Sequence, residues 1–476
     1  MINISSRMLL TLALLLALPA FAATNAEPPH LNGATLGLLW VAPFAGILLS
    51  IAIMPLVAGK FWHHHFGKVS AFWALSFFVP FAMQYGFATA LYEFLHAMLL
   101  EYLPFIILLF ALFTVAGGIH IRGNLHGSPG LNTGILAGGA LMASVTGTTG
   151  ASMVLIRPLL RANDNRRHNV HVVIFFIFLV ANIGGALSPL GDPPLFLGFL
   201  KGVDFFWPTK HLFLPTLFVA GLLLTMFYGL DAYYYNKEKI RPPIIDPTPD
   251  NRLAIEGLVN IPLLAAIVAA VLMSGLWKPG IVFSIYHVEL EIQNLLRDLL
   301  LLLIAGASWK WTAVRHRHAN GFTWGPILEV AKLFAGIFLT IIPAIAMLRA
   351  GPGSALGPVV QAVTGADGNP NNMMYFWLTG MLSGFLDNAP TYLVFFNIAG
   401  GDPQVLMGPL ATTLIAISAG AVYMGANTYV GNAPNFMVKA IAEHHKIDMP
   451  GFFGYMLWSG LILLPVFFLA GWIFFH

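Results

Sequence analysis

Two carboxylates stand in apolar stretches of this chain that have no ordinary structural use for them. Asp192 lies in Ala186-Leu-Ser-Pro-Leu-Gly-Asp-Pro-Pro-Leu195, within an apolar run from about Val170 to Val203, and Asp387 opens Asp387-Asn-Ala-Pro390. An acid at membrane depth is costly and marks an ion or proton pathway. Small hard cations are held by carboxylate, carbonyl and hydroxyl oxygens, and such donors cluster near both acids. Thr146, Thr148 and Thr149 stand in Thr146-Gly-Thr-Thr-Gly150, and Asn388 follows Asp387. Asn427, Thr428 and Asn432 lie in Ala426-Asn-Thr-Tyr-Val-Gly-Asn-Ala-Pro-Asn435. Asp192 and Asn388 also fit helix N-caps, Asp192 with Pro193 at N1. Capping alone would be met by Ser or Asn without a charge. Burying a carboxylate needs compensation, which a bound Na+ or H+ supplies.

The elements that must position these residues are interrupted helices. Gly191 and two consecutive prolines break the hydrogen-bond ladder around Asp192, and irregular backbone at that depth persists only inside protein or along a wet cavity. The device recurs. Gly191, Asp192 and Pro194 return as Gly431, Asn432 and Pro434, and Gly147 aligns with Asp387, all at one offset (432 − 192 = 240). Matched broken helices in two halves are the sequence signature of a secondary transporter.

Composition agrees. Of 476 residues, 58% are hydrophobic and 9% charged, which places the chain among polytopic, all-α membrane proteins. The absence of cysteine excludes disulfides and thiolate metal sites. Neither a Walker A loop nor His-Glu-x-x-His is present. Gly191-Asp192 lacks the first glycine of an intramembrane aspartyl protease motif, since residue 189 is Pro, and no Tyr-Asp pair accompanies it. The chain is expected to be a transporter with no enzymatic activity, no cofactor and no nucleic-acid partner.

Residues 1–22 carry Arg7, an apolar core and Ala20-Phe21-Ala22, the pattern of a signal peptide cleaved after Ala22. A periplasmic mature amino end in a Gram-negative inner membrane follows. Apolar windows predict crossings near 36–58, 69–87, 102–121, 170–203 (broken), 211–235, 257–276, 295–312, 327–348, 408–443 (broken) and 452–475. Segments 131–160 and 374–399, interrupted by their polar tips, are expected to be re-entrant hairpins. The organisation is then scaffold helices over 23–101, repeat 1 over 102–235, a Pro-rich linker over 236–256 and repeat 2 over 257–476. With a periplasmic start, the cytoplasmic segments and their flanks hold sixteen Lys and Arg. Only Lys201, Lys210, Lys278, Arg297 and Arg349 fall outside. This positive-inside bias makes the two hairpins enter from opposite sides, an inverted repeat.

Other residues admit plainer readings. Ile281–Asn294 is expected to be an interfacial helix. His63-His64-His65, His316, His318 and His444-His445 are expected in solvated cytoplasmic loops. Glu329 and Lys332, one turn apart, should pair, and Arg157 and Arg161 should act as membrane anchors. Asn182 faces either the site or a neighbouring helix.

Asp387-Asn-Ala-Pro390 resembles the D-N-x-P hairpin of the ion-transporter superfamily, which holds arsenite permeases, citrate–metal and dicarboxylate symporters, and NhaD-type sodium/proton antiporters. Gly425-Ala-Asn-Thr428 with Gly431-Asn-Ala-Pro434 resembles its second broken helix, and Gly185 to Pro194 its first. The resemblance is nearest to the branch of citrate transporters and sodium:proton antiporters. It implies an elevator-type homodimer with a scaffold and a moving transport part. It also implies one cation site from Thr146, Thr148, Thr149 and Asp192, and a second from Asp387, Asn388, Asn427 and Asn432. The first hairpin departs from the family, because Thr-Gly-Thr-Thr-Gly replaces the usual Asn- or Asp-containing tip. No Arg or Lys stands in either motif. That favours a sodium:proton antiporter, with a cation-coupled symporter of citrate or a similar carboxylate as the alternative.

Overall fold

The computed structural model describes residues 31–124, 126–238, 251–366 and 368–476, which are mostly helical. The expected signal segment with Ala22 lies outside them, as does most of the 236–256 linker. Among the described residues, seven helices are long and apolar enough to cross a membrane. They are Leu38–Val57, Gly59–Tyr85, Phe87–Ala116, Val170–Leu187, Trp207–Glu238, Ile292–Trp311 and Phe452–Phe474. Gly325–Thr340 and Ile342–Arg349 form an eighth, bent by 43°. Pro343, at the start of the second piece, explains the bend by removing a backbone donor. The chain is a multi-pass membrane protein.

Two helices are buried on every side, as an all-round apolar helix must be. Val172–Ala181 and Ala416–Ala426 are covered without a gap, and each runs into one of the broken stretches. They carry the breaks into the interior. The first hairpin consists of α1 (Pro129–Thr146) and α2 (Thr148–Ala162), the second of α3 (Asn372–Leu386) and α4 (Asn388–Ile398). Each broken helix resumes after its break, as Pro193–Leu200 and as Ala433–His444.

Several expectations are corrected. The third crossing starts at Phe87 instead of 102 and contains a π-helical turn, Ala97–Tyr102. This turn buries Glu101, whose carboxylate pairs with Lys201. Charged Glu93, His96 and Glu101 made that stretch look like a span boundary. Ile281–Asn294 is no interfacial helix. Val282–Ile285 and Val288–Glu291 form an antiparallel hairpin whose two turn residues, Tyr286 and His287, have φ of 48° and 64°. Two left-handed turn residues match the twist of such hairpins, but here without the Asn-Gly signature that reveals them. His63-His64-His65 lie within a helix, not in a loop. Lys332 stands over the Phe66 ring at 5.3 Å, and no ion pair joins it to Glu329 among the described residues.

The end of the linker is a strand, Asn251–Glu256, paired with His120–Asn124. Glu256 there lies 3.3 Å from His120 Nδ1 and 3.6 Å from Arg122. The hydrogen bond from His120 is the chief reason its carboxyl is held below the usual range. Arg161 donates to Ile121 O at 2.8 Å, so the base of the first hairpin is tied to this sheet. A buried network ties the same hairpin to Trp207–Glu238. Arg166 and His171 reach Asp231 at 2.8 and 2.9 Å, and Asn132 donates to the same carboxylate at 2.9 Å. The second hairpin is held elsewhere, by Arg349 Nε donating to Asn397 Oδ1 at 2.7 Å.

Candidate functional site

The hairpin tips and helix breaks meet, and they do so twice with the same local geometry. Gly147 has φ 78° and ψ 150°; Asp387, its counterpart 240 residues on, has φ 85° and ψ 140°. Ser188 Oγ donates to Ser144 O in the first half, and Thr428 Oγ1 to Gly384 O at 2.5 Å in the second. Both donors and both acceptors are matched pairs at that offset. A Cβ on Gly191 would lie 2.2 Å from Gly185 O, and one on Gly431 would lie 2.6 Å from Gly425 O. Glycine is required because backbone meets backbone there. Gly191→Ala should therefore cost about 3 kcal/mol or more by overpacking, whereas Gly138→Ala, with nothing within 4 Å, should not. Detergent-stability midpoints of the two variants test this, and equal values would contradict it.

Asp192 is 1% exposed at the centre of the assembly. Its Oδ1 accepts from Thr148 Oγ1 at 3.0 Å and Asn432 Nδ2 at 3.2 Å, and its Oδ2 accepts from Asn388 Nδ2. It holds the N-cap position of Pro193–Leu200 by backbone conformation, but its side chain makes no capping hydrogen bond. The carboxylate instead gathers donors from other elements. Thr148 begins α2, Asn388 begins α4 and Asn432 caps Ala433–His444. The amino ends of four half-helices thus converge on one carboxylate.

Asp387 is the N-cap of α4, accepting from Ala389 N at 3.3 Å. The cap expected at Asn388 is displaced by one residue, because Asn388 turns inward to Asp192. Asp387 is also a non-glycine residue in the left-handed φ region. Such strain persists only where surrounding structure enforces it. Asp387 is linked to Asp192 through its chain neighbour Asn388, whose amide donates to Asp192 Oδ2.

The remaining expected residues divide. Asn427 packs against Gly384, and its Oδ1 and that of Asn388 are buried without a hydrogen-bond partner among the described residues. These two oxygens are available to a ligand. Thr428 is engaged in bracing the break, since it also accepts from Val430 N and Gly431 N. Thr146 donates to Met142 O at 3.1 Å, and Thr149 is half-buried. The two oxygen sets that the resemblance separates are joined here, because Asn388 and Asn432 both reach Asp192. Asn182 faces the site. It donates to Asn435 Oδ1 at 2.7 Å and accepts from Asn432 at 3.2 Å. Asn435 was not anticipated, although its position one turn beyond Asn432 places it on the same helix face. Ser144 and Ser188 were missed too; the 240-residue offset, extended beyond Gly and Pro, would have paired Ser188 with Thr428.

No curated protein matches the chain. The family model described as "Putative citrate transport" matches residues 33–475, nearly the whole chain, and the protein belongs to that family.

Proposed function

We propose that this protein is a cation-coupled secondary transporter of citrate or a similar carboxylate, with Asp192 and Asp387 as ligands for Na+ or H+. The observation that carries this reading is the convergence of four half-helix amino ends on the buried Asp192. Each amino end carries about half a positive charge, so four roughly offset two carboxylates. A cation entering beside the unpartnered oxygens of Asn388 and Asn427 leaves a positive surplus. A carboxylate cargo neutralises that surplus, which makes binding of the two mutually dependent. The family description points to the same cargo. In this reading the halves are inverted in the membrane. The positive-inside bias of the sequence, which assigns Arg161 to the cytoplasm and Arg349 to the outside, supports that arrangement. A moving transport part within a homodimer of a bacterial inner membrane completes the scheme.

One observation favours a second reading, a sodium:proton antiporter. No Lys or Arg hydrogen-bonds Asp192 or Asp387 among the described residues. Purified protein in liposomes separates the two. The symporter accumulates radiolabelled citrate when an inward Na+ or H+ gradient is imposed, and stops when an ionophore dissipates it. Proton movement driven by Na+ without citrate, and no citrate uptake, would replace this reading with the antiporter. Under either, protons and Na+ compete for the same carboxylates. Na+ affinity should fall as pH drops, by up to about tenfold per unit for one exchanged proton.

A further inference from the structure

A cavity of about 620 Å³ runs beside the candidate site between α2 and Ala433–His444. Both helices begin at the Asp192 centre, so distance along them measures depth. Met153 and Met437 line its inner part; at 1.5 Å per residue they lie within about 8 Å of their helix starts. Its outer part is lined by Arg157, Arg161, His318, His444 and His445, and no acidic residue lines it among the described residues. Arg157 Nη1 is buried without a hydrogen-bond partner among the described residues. Gly321, at φ 58°, brings backbone so close to this guanidinium that a Cβ would lie 2.4 Å from Nη2. The side chain is therefore held in the cavity wall, which it lines together with Arg161. The segments meeting here, 161–169, 310–326 and 439–451, are among those that the charge bias assigns to the cytoplasm.

We infer that this cavity is a cytoplasmic vestibule that binds a polycarboxylate anion at Arg157 and Arg161 on its way to or from the Asp192 centre. The inference rests on the carboxylate reading of the function and adds the place where the cargo's charge is met. A cavity with low-dielectric walls and one sign of charge concentrates the opposite ion. A cation-only antiporter would gain nothing from a cationic entrance. The arrangement also accounts for the lack of basic partners at the centre among the described residues, since a basic residue beside Asp192 would pair with it and exclude a cation.

The absence of native cysteine allows a direct test. Ala440 lines the cavity and is exposed, so Ala440→Cys in the full chain offers one thiol. The measurement is its modification rate by a sulfonate and by a trimethylammonium thiosulfonate reagent, each relative to a free thiol. The sulfonate should react about tenfold faster, and citrate should slow it. High salt or the Arg157→Gln and Arg161→Gln changes should bring the two rates near parity. Equal rates in the Ala440→Cys protein, or no protection by citrate, would overturn the inference. The salt series needs no arginine variant, so a misfolded variant does not rescue the idea. Citrate uptake is scored separately. Transport without the rate bias removes only the vestibule, while bias and protection without transport remove only the carboxylate-transport reading.

Discussion

Asp192→Asn will give a folded protein that transports at least about a hundredfold more slowly. The substitution conserves volume at a position 1% exposed. Its oxygen can still accept from Thr148 and Asn432, but its new amide faces the Asn388 amide, donor against donor. Asn388 can answer by turning its carboxamide, because its Oδ1 has no partner to lose. The fold therefore survives while the full charge does not. Losing about 3 kcal/mol of cation binding corresponds to roughly a hundredfold. The measurement is initial uptake in liposomes beside a thermal melt of the same preparation. A wild-type rate at an unchanged melting temperature would show that the carboxylate serves only as a hydrogen-bond hub.

Asp387→Gly should do two opposite things at once. Asp387 occupies a backbone conformation that its counterpart in the first half meets with Gly147. Glycine adopts that conformation freely, so the change removes strain of about 1–3 kcal/mol. It also removes the cap that accepts from Ala389 N, worth about 1 kcal/mol, so the net stability should be equal or higher. Transport should nevertheless be largely abolished, because the second acid of the site is gone. A variant that is no less stable and does not transport separates a functional carboxylate from a structural one. A variant that melts earlier and transports normally would show that the residue is retained for folding.

What was legible in the sequence follows from what is local. Gly, Pro and an acid inside apolar runs are visible without neighbours, so helix interruptions were expected at Gly147, Asp192, Asp387 and Asn432, where helices do end or begin. The repeat could be found because equal spacing needs no geometry. Partner choice was not legible. Nothing in the order of residues says that Asn388 turns to Asp192 while Asp387 takes the cap, since that depends on how two hairpins and two breaks close together. The π-helical turn at Ala97–Tyr102 was hidden for a related reason. Glu101 suggests a span boundary until Lys201, a hundred residues away, neutralises it. Nothing in the order of residues marks Arg166, which pairs with the distant Asp231 and Glu238.

The hydrogen bond between Asp192 and Asn432 joins a residue to its own counterpart in the other half. Any twofold axis relating the halves must pass between the two. Had the chain arisen from a duplicated segment that once paired with itself, this position would have faced its identical twin. Two amides can share a hydrogen bond there, but two ionised carboxylates at about 3 Å cannot coexist. On that history only one half could acquire the acid on the axis, and a second charge would have to be placed away from it, at a hairpin tip. The chemical inequality of Asp192 and Asn432 would then be a consequence of where the axis ran.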